Sequence, residues 1–77
     1  MLKCFSQVKY ALDTDEMTFD LEDGQTASDL EHIIRKRAGS KLEGVALQIA
    51  INQEFRDGST VLRNGDEVAF IPPVQGG

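Results

Sequence analysis

Little in this chain invites a covalent or metal scaffold. It has one cysteine, Cys4, one histidine, His32, and no tryptophan in 77 residues. A lone cysteine can close no disulfide within the chain and build no thiolate metal cage, which fits a reducing compartment. Long apolar runs are also missing. The longest, Val68-Ala69-Phe70-Ile71, stops at Pro72 and is far short of the roughly 18 residues that suggest a membrane span. The opening residues, Met1-Leu2-Lys3-Cys4, carry no signal-like lead, so a cytosolic location is the expectation. Positive charge is scarce as well. Eight Lys and Arg stand against thirteen Asp and Glu, for a net charge of -5. Nucleic-acid binding rests on clustered cations, so nucleic acid is not an expected partner, and neither is an anionic membrane. A basic protein surface is favoured.

The hydrophobic share is 40 % and the charged share 27 %, which suits one small folded domain. Leu2 to Val8 reads as a strand, with Leu2, Cys4, Ser6 and Val8 on one face and Phe5 on the other. A turn over Leu12-Asp13-Thr14-Asp15 leads to a second strand in which Met17, Phe19 and Leu21 alternate with polar residues; together they predict a β-hairpin. Thr26 is the expected N-cap of the main helix, with Asp29 as its capping-box partner. In that helix Ala27, Leu30, Ile34 and Ala38 form one apolar stripe. Arg35, Lys36 and Arg37 suit the negative end of the helix dipole, and Gly39 is placed to close the helix in the left-handed conformation.

Ala46 to Ile51 reads as a strand with Leu47, Ile49 and Ile51 on one face. Asn52-Gln53 turns the chain into a short strand at Glu54-Phe55-Arg56, Asn64-Gly65 marks another turn, and the last strand is Glu67 to Ile71. The order ββαββ plus a final strand predicts an α+β roll, one main helix laid across a mixed sheet. Residues 1–71 form the domain, and residues 72–77 an extended tail.

Chemistry is concentrated in that tail. Pro72 and Pro73 cannot continue a ladder and stiffen the exit, at about 3.1 Å per residue in a polyproline-like path. Val74, Gln75 and Gly76 follow, and the glycines let a partner's backbone come close, as in a narrow channel. What the tail delivers is the Gly77 carboxylate, ionised at neutral pH and able to attack an activated phosphate. No triad, dyad or metal cluster is legible elsewhere. Cys4 reads as a core residue rather than a sulfur relay, and His32 as a solvated side chain. The acidic residues from Asp13 to Asp23 lack calcium-loop spacing. Phe55, Ile71 and Phe5 are candidates for an apolar patch beside the tail.

The run from Leu62 through Gly65-Asp66-Glu67-Val68-Ala69-Phe70, Pro72-Pro73-Val74 and Gly76-Gly77 resembles the C-terminus of the MoaD family, the small sulfur-carrier subunits of molybdopterin synthase. The Asn52-Gln53 turn matches too, whereas Ser6 stands where the family carries an apolar residue. The resemblance implies a ubiquitin-like β-grasp fold and a carrier cycle with no stably bound cofactor. An E1-like adenylating enzyme uses ATP to form a glycyl adenylate on Gly77, and sulfur then replaces AMP to leave a thiocarboxylate. The tail of Pro72, Pro73, Val74, Gln75 and Gly76 threads into the large synthase subunit. There the sulfur attacks cyclic pyranopterin monophosphate to build the dithiolene. The implied assembly is a heterotetramer of two small and two large subunits, docked through Phe55, Ile71 and Phe5, with the active site on the large subunit. Alternatives are a sulfur carrier for thiamine, cysteine or tRNA thiolation, in which the diproline is generally absent, and a ubiquitin-like protein modifier.

Overall fold

The computed structural model of the chain describes residues 1–72. Five strands and two helices follow in the order β1 (Leu2–Cys4), α1 (Ser6–Leu12), β2 (Glu16–Met17), α2 (Ala27–Ala38), β3 (Gln48–Ile51), β4 (Glu54–Arg56) and β5 (Val68–Ile71), with a 3₁₀ turn at Gly39–Leu42 after α2. The strands form one sheet in the order β2-β1-β5-β3-β4. β5 lies in the middle, parallel to β1 and antiparallel to β3, and this mixed sheet under α2 is the roll expected from the sequence.

Helix α2 forms where its capping signal stands. The Asp29 N–H donates to Thr26 Oγ1 (3.3 Å), and the Thr26 N–H donates to the Asp29 carboxylate (2.9 Å), so Asp29 closes the capping box. Its buried stripe is Ala27, Leu30, Ile34 and Ala38. The stripe meets Leu2, Cys4, Ile49, Ile51, Val68 and Phe70 on one face of the sheet, and Val8, Leu42 and Leu62 close the core. Gly58 lets the start of α2 dock closely, because a Cβ there would collide with Ser28 Oγ. Gly39 ends the helix at φ +62 and ψ -134, not in the left-handed helical well anticipated but in territory that only glycine occupies readily. Arg35 then clips the exit. Its Nε pairs with Glu31 (2.8 Å), and its Nη atoms donate to the carbonyls of Leu42 (2.9 Å) and Val45 (2.6 Å).

The first strand is shorter than its alternation suggests. It ends at Cys4, and Ser6–Leu12 is helical, with Ser6 at φ +51 marking the change of direction. Val8, Ala11 and Leu12 fit a helical stripe as well as Val8 fits an alternating one: Val8 is buried, and the other two pack against the core. β1 and β2 do pair antiparallel, Leu2 with Met17 and Lys3 with Glu16, but across a helix rather than a short polar loop. Phe19 and Leu21 pack against the core as their alternation requires, yet lie outside β2, whose partner strand runs out at Leu2. On the other side, β3 starts at Gln48 rather than Ala46. Gln48 pairs with Ile71, the last residue of β5.

The start of β5 is held by a polar knot. Asn52 and Gln53 both take positive φ, +52 and +69, as a two-residue hairpin turn of type I′ requires. The Asn52 side chain donates to Asp66 Oδ1 (3.0 Å) and accepts the Glu67 N–H (3.0 Å), while its own N–H donates to the Glu67 carbonyl (2.7 Å). The Asp66 carboxylate also accepts the Arg63 N–H (2.9 Å), and the Met1 ammonium donates to the Asp66 carbonyl (2.9 Å). The Arg63 N–H and then the Asn52 amide hold the Asp66 carboxyl below the usual carboxylate range. Its folded pKa lies below the unfolded one, so its stabilisation is complete above the unfolded value of about 3.9 and is lost as pH falls through the folded value. Asp66→Asn is therefore expected to lower the melting temperature at neutral pH, with the gap to the parent chain narrowing on acidification from about pH 5 to about pH 2. Parallel melting curves across that range would contradict this role.

Candidate functional site

Side chains alternate across a strand, and residues directly opposite in a ladder share a face. The face of the sheet away from the helices therefore carries the row Lys3, Ala69, Ala50 and Phe55, each opposite the next on β1, β5, β3 and β4. Ile71 and Gln48 form a second row at the end of β5 where the chain departs. Val8 of α1 and the stripe of α2 are buried against the other face. This face is thus small and apolar at its centre, with Ala50 and Ala69 nearly covered by their larger neighbours.

Phe5 and Ile71 come together here. With Lys3, Ala50, Gln53, Glu67 and Ala69 they line one open hollow. Phe5 sits between β1 and the turn of chain at Ser6, and 48 % of its surface is exposed. Phe55 lies one strand over, 70 % exposed, and borders a groove with Leu47, Gln48, Ile49 and Arg56. The three candidate patch residues thus occupy the same side of the sheet or its margin, none of them in the core cluster. Lys3 and Glu67, 3.3 Å apart, form an ion pair on this face that the linear pattern does not suggest. Only the parallel register of β1 on β5 brings them together. Pro72, the first residue of the tail, is half-buried at the end of β5. Pro73, Val74, Gln75, Gly76 and Gly77 lie outside the described residues.

Other candidates resolve into structural roles. The first N–H groups of α2 are taken by its own chain, Ala27 by the Thr60 carbonyl and Ser28 by the Gly58 carbonyl (both 2.9 Å), so they present no cradle to a phosphate. Among the described residues no three His, Cys, Asp or Glu side chains are arranged to hold a metal ion, and no helix is long and apolar enough to cross a membrane. His32 is exposed on α2. Cys4 is only 3 % exposed, facing the core opposite Phe70. Burial, and then the nearby Asp15 carboxylate, push its thiol pKa up, the reverse of what a sulfur-relay nucleophile needs. Native protein is accordingly expected to resist a thiol reagent such as dithiobis(nitrobenzoate) and to react with one equivalent on unfolding in guanidinium; rapid labelling of the folded chain would reopen the relay.

Comparison with known proteins agrees with this architecture. The model of the ThiS family matches residues 3–77. The molybdopterin synthase sulfur carrier subunit of Haemophilus influenzae is 34 % identical over 77 residues, covering 95 % of this chain and 93 % of that protein. Among solved structures, the putative molybdopterin converting factor subunit 1 of Pyrococcus furiosus superposes with a TM-score of 0.83 at 26 % identity, covering 95 % of this chain and 94 % of the other. A chain from the Helicobacter pylori complex of subunits 1 and 2 of molybdopterin-converting factor superposes with a TM-score of 0.66 at 26 % identity, covering 99 % and 95 %. A β-grasp roll with β5 at its centre, matched by the family model almost from end to end, places the chain in the ThiS family.

Proposed function

We infer that the chain is the sulfur-carrier subunit of a molybdopterin synthase, and that it supplies a reagent rather than an active site. The observation that carries this reading is likeness over nearly the whole length to relatives that bear that name, in Haemophilus influenzae and in Dictyostelium discoideum, the latter 38 % identical over 80 residues. The chemistry follows from the chain end. Residues 1–71 are the handle and residues 72–77 the tail. Attack of the Gly77 carboxylate on the α-phosphate of ATP, in an E1-like enzyme, releases pyrophosphate and leaves an acyl-adenylate. A sulfur donor then displaces AMP, and the carboxylate oxygen lost with AMP is replaced by sulfur.

The resulting thiocarboxylate is a softer nucleophile than the carboxylate. Pro72, Pro73, Val74, Gln75 and Gly76 thread it into the large subunit, where cyclic pyranopterin monophosphate is the acceptor and docking supplies proximity. The open sheet face suits that docking. Phe5 and Ile71 stand at the strand end from which the tail departs, Phe55 is an exposed aromatic beside them, and aromatic anchors dominate interfaces of this kind. The solved Helicobacter complex of subunits 1 and 2 supports a large-subunit partner. A heterotetramer of two small and two large subunits in the cytosol completes the reading.

Incubation with the activating enzyme, ATP and a sulfur source is expected to add about 16 Da to the intact chain, the difference between oxygen and sulfur. The chain lacking Gly77 is expected to keep its circular dichroism spectrum and gain nothing. Sulfur loading of the truncated chain would refute the reading, and a ladder of heavier conjugates would point to a protein modifier. Phe55→Ala and Ile71→Glu are expected to weaken the complex with the large subunit about tenfold or more, as loss of an anchor and burial of an unpaired charge should. Unchanged affinity by calorimetry would remove both residues from the interface.

A further inference from the structure

β4 is the outermost strand on its side of the sheet, and its neighbours fix the direction of its backbone groups. The Asn52 N–H points to β5, where it reaches the Glu67 carbonyl. Alternation then turns Ala50 towards β5 as well, and leaves Ile49 and Ile51 to bond with β4. Ile51 with Glu54 and Ile49 with Arg56 are therefore the hydrogen-bonded pairs, and Ala50 with Phe55 is the non-bonded pair between them. Phe55 directs both its N–H and its C=O outward, away from the sheet. Such an edge group is matched by one kind of ligand, an extended backbone.

We propose that β4 pairs antiparallel with β4 of a second copy of this chain, in register about Phe55. A two-fold axis through that point sets Phe55 opposite Phe55, the two exchanging both backbone hydrogen bonds. It also sets Glu54 of each copy opposite Arg56 of the other, so two cross-strand pairs of opposite charge form at once. That charge symmetry selects a second copy over an unrelated strand. Edges built to repel their own kind carry like charges, whereas Glu54-Phe55-Arg56 is complementary to itself when reversed. In the monomer the two charges pair with each other at 2.7 Å, both well exposed and within reach of a neighbour. The Phe55 rings meet on the open face, and the row Ala69, Ala50, Phe55 continues across the axis into the second copy. Three residues a side make a small contact, so the dissociation constant is on the order of 0.1–1 mM.

This pairing does not rest on the carrier reading and is tested without any partner protein. Sedimentation equilibrium of the full chain from about 10 μM to about 1 mM is expected to show the weight-average mass rising towards that of a dimer. Glu54→Arg and Arg56→Glu, each of which sets like charges opposite each other at both flanks, are expected to remain monomeric at the same concentrations. The double variant, Glu54→Arg with Arg56→Glu, restores both pairs and is expected to recover the association. Circular dichroism and melting of each variant establish that the fold is intact. A parent chain that stays monomeric near 1 mM overturns the proposal and leaves the edge to a strand from a different protein. Association that ignores the single reversals, or a double variant no better than the singles, overturns it equally, by assigning the contact to another surface.

Discussion

The placement of β5 governs the rest of this molecule. It is flanked on both sides, by β1 running parallel and β3 antiparallel, and it carries Phe70, the largest fully buried side chain, into the core. Its start is tied to the β3–β4 turn and to the chain's first residue through Asn52, Asp66 and Met1. Its end meets Pro72, which has no N–H to donate to the β1 side. A strand fixed along its length in this way sets the point at which the chain leaves the sheet. That point lies next to Ile71 and Phe5, at the margin of the open sheet face. In the proposed reading, this fixed exit is what couples the domain to the reagent carried by residues 72–77.

The two faces of the sheet divide the work. The helix-side face is closed by the stripe of α2 and by Val8, Leu42 and Leu62, which is where burial stabilises the fold. The other face keeps small residues, Ala50 and Ala69, beneath larger ones at its rim. A partly apolar surface results, which also carries the ion pair of Lys3 with Glu67.

Much of this was legible in the chain because the signals are local. The capping box at Thr26, the stripe from Ala27 to Ala38, the Asn52-Gln53 turn and the alternation of Val68 to Ile71 each operate within a few residues, and each stands where expected. The failures have physical causes too. Val8 satisfies both an alternating and a helical pattern, so α1 was hidden inside an apparent strand. Its entry, moreover, depends on a positive φ at Ser6 that no glycine announces. Phe19 and Leu21 show a strand's alternation without a neighbour to pair with. The Arg35 clip and the Lys3–Glu67 pair join segments distant in sequence, and no periodicity encodes them. Of the candidate patch, Phe55 stands out in the chain as an aromatic between Glu54 and Arg56, whereas the place of Ala50 and Ala69 on the open face comes only from strand register.

We propose that the domain presents its open sheet face, together with residues 73–77, to its partner. Amide chemical-shift mapping on addition of the large synthase subunit tests it most directly. The account predicts perturbations at Phe5, Ala50, Phe55, Ala69 and Ile71 and through residues 73–77, with His32 and Arg37 on α2 unaffected. A footprint on α2 that spares β5 would contradict it.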